Sequence, residues 1–186
     1  TLAAQTNTGS VRYVEQQMSK MPRLLRNDSF GEIDVAVVEA LGFDDHGDLI
    51  PSSAIGMTHY LMDAAAEIIV EINAGQPGVL RDLHDVYLPA AAPNTQPIPL
   101  VRTTQRIGRA GIPVDPNKIR YIVETDIPER LGPQPPGTAT TRTIAENLMN
   151  LLEQETARSG GFLPPVQTGF GAMANSIAAA FQQSRF

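Results

Sequence analysis

"GEIDVAVVEALGF" (residues 31–43) decides the fold class. Its apolar positions run from 33 to 40 with little alternation, which suits a strand covered on both faces. Two similar runs follow: "EIIVEIN", with a strand expected over 68–72, and "KIRYIVETD", with one over 119–125. Between the first two, "DDHGD" (44–48) is a turn by composition, and "LIPSSAIG" leads into a helix expected over 58–66. Strand, helix, strand order with buried strands predicts an α/β domain on an open, mostly parallel sheet, with the three runs as neighbours.

Upstream, residues 8–19 ("TGSVRYVEQQMS") place Val11, Val14 and Met18 near helical spacing behind Ser10 as a candidate N-cap. Residues 76–109 are proline-rich and read as an irregular excursion. Residues 128–141 ("PERLGPQPPGTATT") are dense in Pro, Gly and Thr, so 131–141 reads as a linker between 1–130 and 142–186. Beyond it, Thr143 and Glu146 have the spacing of a capping box. Ile144, Leu148, Leu151 and Leu152 supply a stripe for burial. "SGG" (159–161) ends that helix, "FLPPVQT" (162–168) offers a short strand, and a further helix follows. One helix, one strand and one helix cannot bury a core alone, so the second part reads as the start of a larger domain.

Composition narrows the function. At 42% hydrophobic and 18% charged residues, the 186-residue chain has the makeup of a globular protein and not of a disordered one. A net charge of −6, with Lys20 and Lys118 as its lysines and no basic stripe, argues against nucleic-acid binding. The absence of cysteine removes disulfides, zinc thiolates and thiol nucleophiles. With no apolar run near the ~18 residues of a span and no signal sequence, a soluble, cytoplasmic protein is expected.

"QTGFGAMANSIAAAF" (167–181) carries the principal motif. Strand, Gly-x-Gly, helix is a physically sensible anion site: glycine lets backbone approach a ligand, and first-turn amides lack internal partners. It is no Walker loop, and Ala174 at the third glycine position makes it a poor dinucleotide fingerprint. On pattern alone a tight turn is the commoner meaning. Asp44, Asp45, His46 and Asp48 read as a hairpin turn before a metal site. His59 and His84 read as structural, His84-Asp85 bracing the excursion. Ser52 and Ser53 lack a histidine at a recognisable spacing.

"LPPVQTGFGAMANSIAAAF" resembles a segment of the acetyl-CoA hydrolase/transferase family, in its succinyl-CoA:acetate and propionyl-CoA:succinate CoA-transferase branch. "GDLIPSSAIG", "EIIVEINAGQP" with "LHDVYLP", and "QRIG" with "IPVDPNKIRYIVETD" resemble further segments, in the same order. The resemblance implies most of a first CoA-transferase-type α/β domain plus the start of a second. Its substrates would be coenzyme A as an acyl-CoA and a small carboxylate, with no metal, nucleic acid or membrane. The family's chemistry runs through a glutamyl-CoA thioester. By position, Gly169, Phe170, Gly171, Ala172 and Met173 would contact CoA. Ala172 and Met57 stand where relatives often carry polar side chains, which bears on acyl specificity.

The nucleophilic glutamate of the family is expected after Phe186, so no catalytic residue is expected within these residues. The chain then reads as an internal segment of an enzyme roughly threefold longer, in line with two full α/β domains. At full length a homodimer is implied, mitochondrial if eukaryotic. The alternative is a non-catalytic CoA-thioester-binding protein or subunit.

Overall fold

β-branched side chains suit extended backbone, and the three apolar runs all become strands. In the structure, a computed structural model describing residues 2–11, 13–129, 135–163 and 165–186, the strands are β1 (Ile33–Phe43), β2 (Leu49–Pro51), β3 (Ala65–Asn73) and β4 (Ile119–Thr125). They form one sheet in the order β2-β1-β3-β4. β1 and β3 are parallel, with Val38 opposite Val70, and β3 and β4 are parallel, with Val70 opposite Ile122. β2 is an addition to the expectation. The 44–48 turn folds it back antiparallel on β1, with Phe43 opposite Leu49.

The helices are α1 (Leu2–Asn7), α2 (Met21–Arg26), α3 (Thr58–Ala64), α4 (Ala139–Arg158) and α5 (Ala172–Gln182). The chain divides into two compact units. One comprises Thr1–Leu88 and Gly108–Pro128, the other Pro89–Ile107 and Glu129–Phe186. In the first unit, Ala36, Val38 and Ala40 of β1 and Ile68 and Val70 of β3 form the core with Leu49, Met62, Val86 and Ile112.

The opposite sheet face corrects the expectation of strands covered on both sides. Val35 and Val37 of β1 are 44% and 68% exposed, and β4 is exposed along most of its length. The alternation along β1 is that of a strand with one covered face.

Among the described residues of 8–19, where a helix was expected, no α-helix forms, and a single 3-10 turn covers Met18–Lys20. Thr8 and Ser10 instead donate their hydroxyls to carbonyls of the preceding turn, Thr8 to Ala4 and Gln5 and Ser10 to Gln5. Short hydroxyl side chains that satisfy the last carbonyls of one helix end it, so Ser10 closes α1 where it was expected to open a helix.

In the second unit α4 begins earlier than expected. Thr138 is the N-cap, its hydroxyl accepting from Thr141 N at 3.1 Å while Thr141 Oγ1 accepts from Thr138 N at 2.8 Å. Thr143, expected as the cap, lies inside the helix and donates to Ala139 O. The buried face also shifts. Ala145 is buried, Leu148 and Leu152 are half-buried, and Ile144 and Leu151 are exposed, because α5 covers only a narrow strip of α4. α4 ends at Arg158 just before the "SGG" stretch, as expected. No strand forms over the described residues of 162–168. Of the linker expected over 131–141, residues 131–134 lie outside the described residues, and 139–141 already belong to α4.

Candidate functional site

In the first unit, parallel β1 and β3 bring Glu39 and Asn73 to the carboxyl end of the sheet. That is the end where open α/β sheets usually bind ligands. Ser52, just past β2, donates to Glu39 Oε2 at 2.6 Å. Asn73 Nδ2 and Gln76 Nε2 donate to Glu39 Oε1 at 2.7 and 3.2 Å. Ser52, Asn73 and Gln76 are buried. Desolvation alone would raise the Glu39 pKa, but the three donors outweigh it and hold the carboxyl below the ordinary glutamate range. Glu39 is therefore an ionised group with every donor aimed at it supplied by neutral side chains.

His84 is buried beside this cluster, its Nε2 2.9 Å from Pro51 O. Asp85 Oδ1 accepts from Gly108 N, and Val86 bridges to Arg109. Asp85 and the Val86–Arg109 bridge thus tie the far end of the proline-rich excursion back to residues 85–86, while His84 is held against Pro51. Sequence reading joined neither Glu39 nor Asn73 to Ser52 and Gln76. The available signal was a polar residue interrupting an apolar run at the end of each strand.

The 44–48 segment is a hairpin turn. Asp44 Oδ1 accepts from His46 N and Asp48 N, and Asp48 pairs with Arg109 at 2.7 Å. Slight desolvation acts to raise the Asp44 pKa, and the amide bonds overcome it to give a net lowering. No cluster of three or more His, Cys, Asp or Glu able to hold a metal occurs among the described residues. His59 sits in α3 with its Nε2 buried and without a partner. Burial lowers its pKa, Asp63 opposes that, and Arg26 adds to it. Ser52 donates its hydroxyl to Glu39.

The second unit holds Gly169, Phe170, Gly171, Ala172 and Met173 at the start of α5. Gly171 is the N-cap, at φ 114° and ψ −176°, and no side chain caps the helix. Among the described residues, the first-turn amides of α5 thus lack intrahelical or side-chain capping partners, and they carry the positive end of the helix dipole. A Cβ at Gly169 or Gly171 would meet nothing within 4 Å, and Phe170 is fully exposed. The Gly-x-Gly segment leaves open space in front of the helix.

What anchors that helix start is α4. Ser176 Oγ donates to Ala172 O at 2.9 Å and lies 2.8 Å from Thr141 Oγ1. Asn175 Nδ2 donates to Pro135 O, and a Cβ at Gly137 would fall 2.3 Å from Ser176 Oγ. A cavity of about 310 Å³ opens along the α4–α5 seam, its lining including Arg142, Glu146, Asn175 and Gln183. These contacts tie the first turn of α5 to α4 and the residues before it.

A family model described as the acetyl-CoA hydrolase/transferase N-terminal domain matches residues 1–127. Among curated relatives, the succinyl-CoA:acetate CoA-transferase of Clostridium kluyveri is 33% identical, over 97% of this chain and 34% of that protein. The acetyl-CoA hydrolase of Yarrowia lipolytica is 31% identical over all of this chain and 37% of that protein. The chain therefore spans about a third of the length of these relatives. Among solved structures, 4-hydroxybutyrate CoA-transferase from Porphyromonas gingivalis aligns over 93% of this chain and 34% of its own, with a TM-score of 0.52 and 18% identity. RipA from Yersinia pestis aligns over 92% of this chain and 31% of its own, with a TM-score of 0.54 and 19% identity. At that identity the structural likeness concerns the fold.

Proposed function

This chain belongs to the acetyl-CoA hydrolase/transferase family, and from that premise we propose that it is a segment of an acyl-CoA:carboxylate CoA-transferase or acyl-CoA hydrolase. Residues 1–130 are taken as the later part of the first α/β domain and 142–186 as the start of the second. The enzyme would use acyl-CoA and a small carboxylate and work as a homodimer at full length, in the cytoplasm or in a eukaryote's mitochondria.

The observation that carries the reading is the open, uncapped start of α5. Among the described residues, the first-turn amides of Ala172 and Met173 have no intrahelical or side-chain partner, open space lies beside Gly169 and Gly171, and Gly171 has a φ of 114° that a bulky residue adopts only with strain. A thioester carbonyl placed there would meet donors suited to its developing negative charge. In the proposed reaction a glutamate carboxylate attacks the thioester carbonyl and expels CoA as the thiolate. The thiolate then attacks the glutamyl carbonyl of the resulting anhydride, releasing the acyl group as a carboxylate and leaving a glutamyl-CoA thioester. Water or an acceptor carboxylate resolves that thioester.

No glutamate of this chain is assigned the nucleophile's role. Glu39 is held by three donors, and Glu153 is 3.5 Å from Arg185 on the flank of α4. The nucleophile is proposed to lie outside these 186 residues. The test incubates the chain with acetyl-CoA or succinyl-CoA, reduces with borohydride and measures intact mass, with CoA binding followed by calorimetry. Weak CoA binding with unchanged mass is expected. A stoichiometric mass change at a glutamate would place the nucleophile within this chain, and absence of any CoA binding would remove the α5 site.

A further inference from the structure

A series of hydrogen bonds inside the second unit runs from the cap of α4 to the first turn of α5. Ser176 is 6% exposed, and its Oγ donates to Ala172 O at 2.9 Å. A carbonyl oxygen only accepts, so the single hydroxyl proton of Ser176 is committed there. Thr141 Oγ1, 2.8 Å from Ser176 Oγ, is then the donor of that pair, in preference to its longer contact with Thr138 O at 3.1 Å. Thr141 Oγ1 in turn accepts from Thr138 N at 2.8 Å. The protons therefore all point one way, from Thr138 N–H through Thr141 and Ser176 to Ala172 O. Hydrogen bonds aligned in this manner polarise one another. Glycine at 137 keeps the room for them, since a Cβ there would collide with Ser176 Oγ.

The series continues through the peptide it reaches. Ala172 C=O and Met173 N–H share one planar unit and point in opposite directions. Helical backbone turns that N–H out of the helix start, where no side chain caps it and a Cβ at Gly169 or Gly171 would meet nothing within 4 Å. Ser176 draws charge toward Ala172 O, which makes the Met173 N–H a stronger donor, and holding the oxygen holds the plane of the N–H as well. The preceding amide lacks this connection. Ala172 N–H belongs to the peptide of Gly171 O, which accepts from Asn175 N at 3.0 Å.

We propose that Ser176 is a positioning residue: through Ala172 O it orients and polarises the Met173 N–H toward the thioester carbonyl, and Thr141 completes the series behind it. The inference rests on the CoA reading of the α5 start for the identity of the acceptor. For the state of the amide it rests on the hydroxyl series alone.

The test follows the Met173 and Ala172 amide resonances of the isotope-labelled chain, with acetyl-CoA and CoA binding followed by calorimetry. Ser176→Ala should move the Met173 amide proton upfield and leave that of Ala172 in place, whereas a general loosening of the helix start would move both. Thr141→Val removes a hydroxyl at nearly constant shape and should move Met173 in the same direction. Thr141→Ser, which keeps the hydroxyl, should restore it. Either loss interrupts the same series, so Ser176→Ala combined with Thr141→Val should go no further than Ser176→Ala. Ser176→Ala should weaken acetyl-CoA by roughly three- to tenfold relative to CoA, whose thiol end carries no thioester carbonyl. The proposal is overturned by a Met173 resonance indifferent to Ser176→Ala, by an equal displacement of Ala172, by a Thr141→Ser variant that behaves as Thr141→Val, or by equal losses of acetyl-CoA and CoA. An unsubstituted chain that binds neither ligand removes the CoA reading, and the resonances then decide the role of Ser176 by themselves.

Discussion

Asn73 grips Ile127 with both edges of its carboxamide: Nδ2 donates to Ile127 O at 2.8 Å and Oδ1 accepts from Ile127 N at 3.0 Å. The side chain thus takes the place of a strand partner beyond the end of β4. It accepts from Gly75 N and donates to Glu39 as well, so all four of its hydrogen-bonding positions are used. Asn73→Ala should lower unfolding free energy by about 1–3 kcal/mol, because it strips partners from the main-chain N–H and C=O of Ile127 and from an ionised carboxylate. The midpoint of urea denaturation reports this. A loss below about 0.5 kcal/mol would mean water replaces the amide freely.

Glu39 should make the protein acid-sensitive. Its folded pKa is depressed, so its contribution is present above the ordinary glutamate value and is lost as pH falls through the lower folded value. Glu39→Gln sets an amide against three donors and should destabilise at neutral pH by about 1–3 kcal/mol. It should also flatten the decline in melting temperature on the acid side. An acid limb identical to the parent's would assign that limb to other carboxylates.

His59 acts at higher pH. Burial favours its neutral form, so its folded pKa lies below the ordinary 6.5. The unfolded chain then binds more protons in this range, and stability falls as pH drops from about 6.5 toward the folded value. His59→Phe should remove this part of the pH dependence between pH 8 and 5. Melting curves across that interval check it, and an unaltered slope would show that the ring stays neutral at no cost.

Gly137 and Gly171 should respond to substitution in different ways. A methyl at Gly137 collides with Ser176 Oγ at 2.3 Å, so Gly137→Ala should loosen the α4–α5 seam and lower the melting temperature. At Gly171 the space is open and only the φ of 114° is strained, so Gly171→Val should cost roughly 1–3 kcal/mol and leave the chain folded. CoA binding by the Gly171 variant, followed by calorimetry, should fall much further than its stability. Undiminished binding would return the glycine pair to the role of a turn.

By itself the sequence determined the strands and their sheet. Residues 33–40, 68–72 and 119–125 are runs of β-branched and aliphatic side chains whose extended preference is local. Parallel order followed because each pair of runs is separated by a connection too long for a hairpin. The Gly-x-Gly entry to α5 was legible for the same reason, since a helix start and the conformational demand on Gly171 are properties of adjacent residues. Only the tertiary structure decided which faces are covered, because burial of Val35, Val37 or Ile144 depends on what packs above them and not on their own hydrophobicity. It also decided the cap of α4, where closely spaced threonines offered competing hydroxyls and the contact of Thr141 with Ser176 lies at the chosen end. The Glu39 cluster was illegible on the chain, for Ser52, Asn73 and Gln76 converge on one carboxylate only when strand register brings the ends of β1 and β3 side by side. Periodicity encodes the direction of each side chain, whereas convergence of distant polar groups is a property of register, which only the packed sheet specifies.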